Sequence, residues 1–324
     1  MTNTSPVPTA TARPAQEPVR PGLSIIMLDK KRRVRRRISK TLSWTVLVVL
    51  LLVTLFPFYW MLRTSFSTNG DLAANSGSLL PAHFSVNGWK RVLGLSTAKE
   101  ALADGGSGAS LDFRLYLRNS LVVATLTTVV QTSFSALAAY AFARLRWPGR
   151  DAIFFLFLTA LMVPPIFTML PNFILIRDLG LLNSYLGIVL PNLLMAPFSV
   201  FFLRQFFLGI PRELEEASRL DGAGYIRTFF SVILPISNAP ITTLAILTYI
   251  TSWNDYFWPL LVGKSESVRV LTVALGVFRS QTPQGSPDWA GLMAATLISA
   301  LPIFILFAAM GRRVINSIGF SGLK

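Results

Sequence analysis

The sequence predicts an all-α polytopic membrane protein with six transmembrane helices and both termini in the cytoplasm. Three observations predict this. Of 324 residues, 52% are hydrophobic and only 14% charged, with a mean hydropathy of +0.54. A soluble domain carries roughly 25% charged residues, so this chain has too little charge to cover a water-facing surface. Six apolar runs approach or exceed the length that crosses ~30 Å of hydrocarbon. Finally, the net charge of +15 is spread unevenly around those runs.

Taken in order, residues 1–24 are rich in Pro, Thr and Ala without periodicity, and residues 1–40 as a whole are expected to form a disordered basic cytoplasmic tail. The cluster Lys30 to Arg37 closes on the first apolar run, Thr41–Leu62. A basic flank before an apolar core resembles a signal peptide, but the run is of spanning length and no small-residue cleavage site follows. The other runs are Ser120–Ala143, Ala152–Ile176, Leu186–Phe207, Ile236–Leu261 and Ala290–Met310. Pro164, Pro165, Pro171, Pro191, Pro197 and Pro302 fall within them, which a bundle tolerates because neighbouring helices re-satisfy the freed backbone groups. With the N-terminus inside, 20 of the 30 Lys and Arg residues are cytoplasmic and 10 external, leaving net charges of +13 and +2. That asymmetry sets the orientation and removes nucleic acid as the partner of the basic charge; membrane lipid takes its place. The transport domain is expected over 41–315, with a short cytoplasmic tail over 316–324. Spacing-four small residues (Ser135, Ala139, Ala143; Gly291, Ala295, Ser299) mark close helix packing.

The chain has no cysteine and one histidine, His83, so thiolate chemistry and His clusters are excluded and no metal or cofactor is expected. Gly263-Lys264-Ser265 lacks the first glycine of a phosphate loop, where Trp258 stands. Asp255, near the outer end of the fifth run, is an ionisable group close to lipid and so a functional candidate, or else an interfacial residue level with an aromatic belt of Trp253 and Trp258. Polar residues within the runs (Gln131, Asn172, Asn192, Asn238) suit either sugar hydroxyls or bridges between helices. Asn172, Asn192, Asn254 and Asp255 are the candidates for a substrate path. The loop 63–118, with Gly105-Gly106-Ser107-Gly108, reads as external and mobile, and Ser252–Trp289 as external and partly flexible.

Between the fourth and fifth runs, seven of the sixteen residues from Arg212 to Arg227 are charged, which keeps the segment out of lipid. It is nonetheless patterned as a helix over 211–222. Pro211 suits a first turn, Glu213, Glu215 and Glu216 complement the N-terminal dipole, Leu214, Ala217 and Leu220 form a narrow apolar stripe, and Asp221-Gly222 ends it.

This segment resembles the cytoplasmic signature of permease subunits of binding-protein-dependent ABC importers: Glu-Ala-Ala, then Gly, then a stretch closing in Leu-Pro. Here it reads Glu216-Ala217-Ser218, Gly222 and Ile233-Leu234-Pro235, with Ser218 a small-for-small departure. Ser252 to Leu260 (SWNDYFWPL) is similar to the fifth-span ending of the carbohydrate-uptake branch, and Ile318 to Lys324 (IGFSGLK) to the tail of the maltose-type second permease subunit. The resemblance covers about residues 40–324. It implies the type I importer permease fold, and a heterodimer with a second permease subunit in the inner membrane. It also implies coupling to a separate cytoplasmic ATPase dimer, delivery of a sugar or related solute by an extracytoplasmic solute-binding protein, and no ATP hydrolysis on this chain. The coupling residues it implies are Glu216, Ala217 and Gly222, with Arg219 and Asp221 at the rim. The competing class is an ATPase-independent secondary transporter or channel, which ordinarily needs membrane-embedded acids; only Asp255 is available.

Overall fold

The computed structural model describes residues 23–74, 77–81, 83–103, 112–280 and 288–319. Among them every regular element is helical. The chain divides into two units, 1–59 and 60–324. The first holds most of α1 (Leu23–Ser65), which takes in as helix residues 23–40 of the tail expected to be disordered and continues through Pro57. Between Leu42 and Tyr59 its large apolar side chains are exposed. A helix apolar all round requires a non-aqueous surrounding.

In the second unit three short helices, α2 (Asn69–Ala74), α3 (Asn87–Val92) and α4 (Ala98–Ala103), precede the long α5 (Phe113–Arg144). Then come α6 (Arg150–Thr159) and α7 (Pro165–Asp178), α8 (Tyr185–Val189) and α9 (Pro197–Leu208), and the isolated α10 (Glu213–Leu220). Short α11 (Tyr225–Thr228) runs through a π turn into α12 (Leu234–Ile236), followed by α13 (Asn238–Trp253), α14 (Phe257–Val262), α15 (Leu271–Ser280) and α16 (Trp289–Gly319).

Three helical stretches are long and apolar enough to cross a membrane: Ser39–Ser65, Phe113–Arg144 and Trp289–Met310. The third and fourth apolar runs are instead bent pairs, and the fifth is divided: its first part, α13, forms a bent pair with the α11–α12 limb ahead of it, and its end folds separately as α14. Arg150–Met162 meets Pro165–Asp178 at 99°, Tyr185–Asn192 meets Pro197–Leu208 at 49°, and Tyr225–Ile236 meets Asn238–Trp253 at 81°. Proline places the breaks. A residue before proline is driven out of the α region, and both Val163 (ψ 114°) and Pro164 (ψ 136°) precede one. Ala196 before Pro197 is likewise extended. Pro240 removes the hydrogen bond to the Ile236 carbonyl and crowds it, next to the kink at Ser237.

Helix α5 is the axis: α9 and α13 pack along it. Its small residues Ser135, Ala139 and Ala143 are fully buried, as their spacing predicts. Near its start, Phe113, Tyr116 and Ala124 join Val92, Leu271 and Leu292 in one core cluster; near its end, Ala139 and Tyr140 join Leu203, Phe207 and Phe229 in another. A third cluster gathers Val123, Ile176, Val189, Trp258 and Val270. Buried Asn119 fastens the segment before α15: its amide donates to the Ser267 and Arg269 carbonyls at 3.0 Å, and its oxygen accepts from the Tyr185 hydroxyl at 2.6 Å.

Two sequence expectations are corrected. Trp253 and Trp258 form no interfacial belt; both are buried, and the Trp258 indole donates to the Ile188 carbonyl at 3.0 Å. The described parts of the 63–118 loop are ordered by long-range contacts. Arg91 pairs with Asp288 at 2.8 Å, both almost fully buried, and the same carboxylate oxygen accepts from Asn69 and from the Gly291 backbone N–H, each at 2.9 Å. Nearby, His83 hydrogen-bonds Asp71 at 2.9 Å and holds that carboxyl below its usual range. Residues 105–108, Pro283 to Pro287 and the Phe320–Lys324 part of the tail lie outside the described residues.

Candidate functional site

The charged segment between the fourth and fifth runs folds as α10, two residues shorter at each end than predicted. Arg212 is its N-cap and Pro211 stands just before it. Its end is a complete Schellman motif: the Gly222 N–H donates to the Arg219 carbonyl at 2.9 Å and the Ala223 N–H to Ser218 at 3.0 Å. This turn requires the left-handed conformation at Gly222, whose φ is +79°. Its Asp-Gly pair was therefore the right stop signal, and the glycine's first task is backbone geometry.

One side of α10 is tied down. Glu215 is 5% exposed and its carboxylate lies 3.0 Å from the Arg144 guanidinium at the end of α5. Arg144 also donates to the Ile210 carbonyl. Ser218 meets the Thr228 hydroxyl at 3.2 Å, and Arg219 lies over the Tyr225 ring at 4.8 Å, within 3.9 Å of Glu215. The other side is bare. Leu214 is 42% and Leu220 90% exposed, and Glu216, Ala217, Asp221 and Gly222 are exposed with them. The apolar stripe read from the sequence is thus left largely uncovered by the described residues.

Sequence reasoning missed Glu215, treating it with its neighbours as a dipole-complementing acid. A signal existed: Arg144, at the boundary of an apolar run, called for a buried acidic partner. The sequence could not say which of Glu213, Glu215 and Glu216 turns inward.

A second feature is a cleft of about 650 Å³ between α5, α9 and α13. It brings together Asn192, Asn254 and Asp255. Asn172, on α7, is not part of it. Other polar walls are Thr127 and Gln131 of α5, Ser199 of α9, and Thr248, Thr251 and Ser252 of α13. Thr248, Thr251 and Ser252 recur at i, i+3 and i+4, one helix face, a pattern legible in the sequence and not used there. Aromatic surface comes from Phe198, Tyr256 and Phe257. Asp255 is tied locally, its carbonyl accepting from the Thr272 hydroxyl at 2.6 Å. Gly263 of the false phosphate loop is a packing glycine: a Cβ there would lie 2.9 Å from Ile188.

Comparison with known proteins identifies the family. The profile of the family described as "Binding-protein-dependent transport system inner membrane component" matches residues 131–318, which contain α10 and most of the cleft. The chain is 32% identical to the probable ABC transporter permease protein YurM of Bacillus subtilis, covering 95% of this chain and 96% of that one. It is 30% identical to the arabinooligosaccharides transport system permease protein AraQ of Halalkalibacterium halodurans (90% of this chain, all of the relative). It is 32% identical to the sn-glycerol-3-phosphate transport system permease protein UgpE of Yersinia pestis (82% and 91%). Its fold matches a crystal structure of a bacterial ABC transporter involved in import of the acidic polysaccharide alginate, with a TM-score of 0.72 and 22% identity over 85% of this chain and 96% of that one. The chain is a multi-pass membrane protein and belongs to the family of binding-protein-dependent transport system inner membrane components, the permease subunits of ABC importers.

Proposed function

We propose that this chain forms half of the translocation path of an ABC importer for a carbohydrate or related solute, paired with a second permease subunit. In this reading residues 41–315 are the transport domain. The three long helices and three bent pairs are six spans with both termini cytoplasmic, and α10 is on the cytoplasmic face. ATP is hydrolysed by a separate ATPase dimer, and an external binding protein delivers the solute. The observation that carries it is the two-sidedness of α10: Glu215 and Ser218 fix one side to the membrane helices, while Leu214, Ala217 and Leu220 stand bare for a partner. A helix held so can transmit a push to α5 and, through Thr228, to the α11–α13 limb. Glu216 and Ala217 are the docking residues, Asp221 lies at the rim, Gly222 sets the end of the lever, and Arg219 bridges rim and anchor.

The polar cleft supports the path. Hydroxyls and amides from Thr127, Gln131, Asn192, Thr248, Thr251 and Asn254 suit a polyhydroxylated solute, with aromatic faces beside them. Among the described lining residues Asp255 is the charged one; Asn172 drops to a position off the cleft. The test is Leu220→Asp in the complete reconstituted transporter. ATP-driven uptake should fall and the ATPase should no longer co-purify, with the membrane domain still folded. Undiminished ATP-driven uptake in that variant, or uptake by the chain without any ATPase, would overturn the proposal.

A further inference from the structure

We propose that the junction between α5 and α6 is a binding seat for the phosphate headgroup of an anionic phospholipid, set beside the root of α10. Between the two helices lies a pocket of about 490 Å³ lined by Arg146, Trp147, Arg150, Asp151 and Arg212. Three guanidinium groups face one carboxylate there. That carboxylate is already engaged: Arg150 holds Asp151 in a two-pronged contact at 2.9 and 3.1 Å. Among the described residues the Arg146 and Arg212 guanidiniums have no hydrogen bond or ion pair. Two arginines therefore converge on one concavity with their donors unspent, and a phosphate diester matches their forked geometry.

The surroundings select a lipid over a free anion. The pocket sits where α5, long and apolar enough to cross a membrane, ends and where the apolar bent pair of α6 and α7 begins. One turn into α6 the chain exposes Phe155 and Leu156, 71% and 69% accessible, a track for acyl chains below a seated headgroup. Trp147, packed on Phe142 at 5.6 Å, places an indole at the level where such rings gather in membranes. Arg212 is also the N-cap of α10, and both Arg146 and Arg212 line the neighbouring pocket formed with Glu215, Glu216 and Arg219. A headgroup held there would fix the base of the lever. None of the residues lining this pocket belongs to the Lys30–Arg37 cluster.

The full-length chain, purified in detergent, can be titrated with phosphatidylglycerol or phosphatidylcholine and retained lipid counted by native mass spectrometry. Two arginines should give a preference for phosphatidylglycerol of about tenfold or more. Arg146→Gln with Arg212→Gln should bring it near parity with thermal unfolding unchanged, and the double Lys variant should keep most of it. A variant neutralised over Lys30–Arg37 should retain the preference. The proposal fails if the double Gln variant binds phosphatidylglycerol as the wild type does. It fails also if millimolar inorganic phosphate displaces the lipid completely, which would mark a free-phosphate site. If the wild type shows no lipid preference and the double Gln variant instead loses the ATPase, the pocket takes acidic protein side chains and the proposal is likewise wrong.

Discussion

Each end of α5 lies near a buried arginine–carboxylate pair, and the two are used differently. Near its start, Arg91 and Asp288 meet at 2.8 Å with Asn69 and the Gly291 N–H on the same carboxylate, and a Cβ at Gly88 would strike the Ala290 backbone at 2.9 Å. Asn69, Arg91 and Asp288 are all buried, and α3 packs on the start of α16. At its other end, Arg144 and Glu215 meet at 3.0 Å, but the helix carrying Glu215 shows its apolar stripe to the outside. The same chemical pair closes one region and in the other fastens one side of an element whose other side stays available. A buried ion pair therefore says little about rigidity until the far side of its helix is inspected.

Breaking the first pair should have the largest effect. Asp288→Ala leaves the Arg91 charge buried, and losing one partner of such a pair costs about 3–5 kcal/mol; the unfolding midpoint of the purified protein should fall sharply. Glu215→Gln should cost about 3 kcal/mol, at the low end because Arg144 keeps the Ile210 carbonyl, and the loss should be local. Limited proteolysis should then cut within 212–223 while the global midpoint moves little. An equal global loss in both variants would erase the distinction. Leu220→Asp, at the bare face, should leave the midpoint within ~0.5 kcal/mol but weaken ATPase binding by about 2 kcal/mol, roughly thirtyfold, read by co-purification and ATP-driven uptake. The two glycines sharpen the comparison last. Gly88→Ala should cost about 1–3 kcal/mol through crowding. Gly222→Ala should cost about 1–2 kcal/mol through its left-handed backbone alone, since nothing lies within 4 Å of a Cβ there. Asn should partly restore position 222 and not position 88, as measured by thermal unfolding.

Much of the architecture was legible in the sequence. Five of the six apolar runs map onto three long helices and two bent pairs, because hydrophobic length is a local property; the fifth is split between α13, which pairs with the limb ahead of it, and α14. The stop at Asp221-Gly222 and the small-residue stripe of α5 were legible because capping and close packing each demand particular residues at fixed spacing. The bends were half legible: the prolines were visible, but a proline fixes only where the α ladder breaks. Pro171 and Pro302 lie within helices while Pro164, Pro165 and Pro197 mark breaks. The aromatic belt failed for the same reason, since indoles suit both an interface and a core with a free carbonyl to receive them.

By itself the sequence determined that this is a membrane-embedded helical chain, that it contains a charged amphipathic helix between two apolar limbs, and that it resembles importer permeases. Those conclusions rest on composition, periodicity and local motif. Only the tertiary structure decided that Glu215 is the anchor, that Asn192, Asn254 and Asp255 share a cleft without Asn172, and that Arg146 and Arg212 converge. Each of these joins residues from different helices, and helical periodicity fixes which residues share a face without fixing which faces meet.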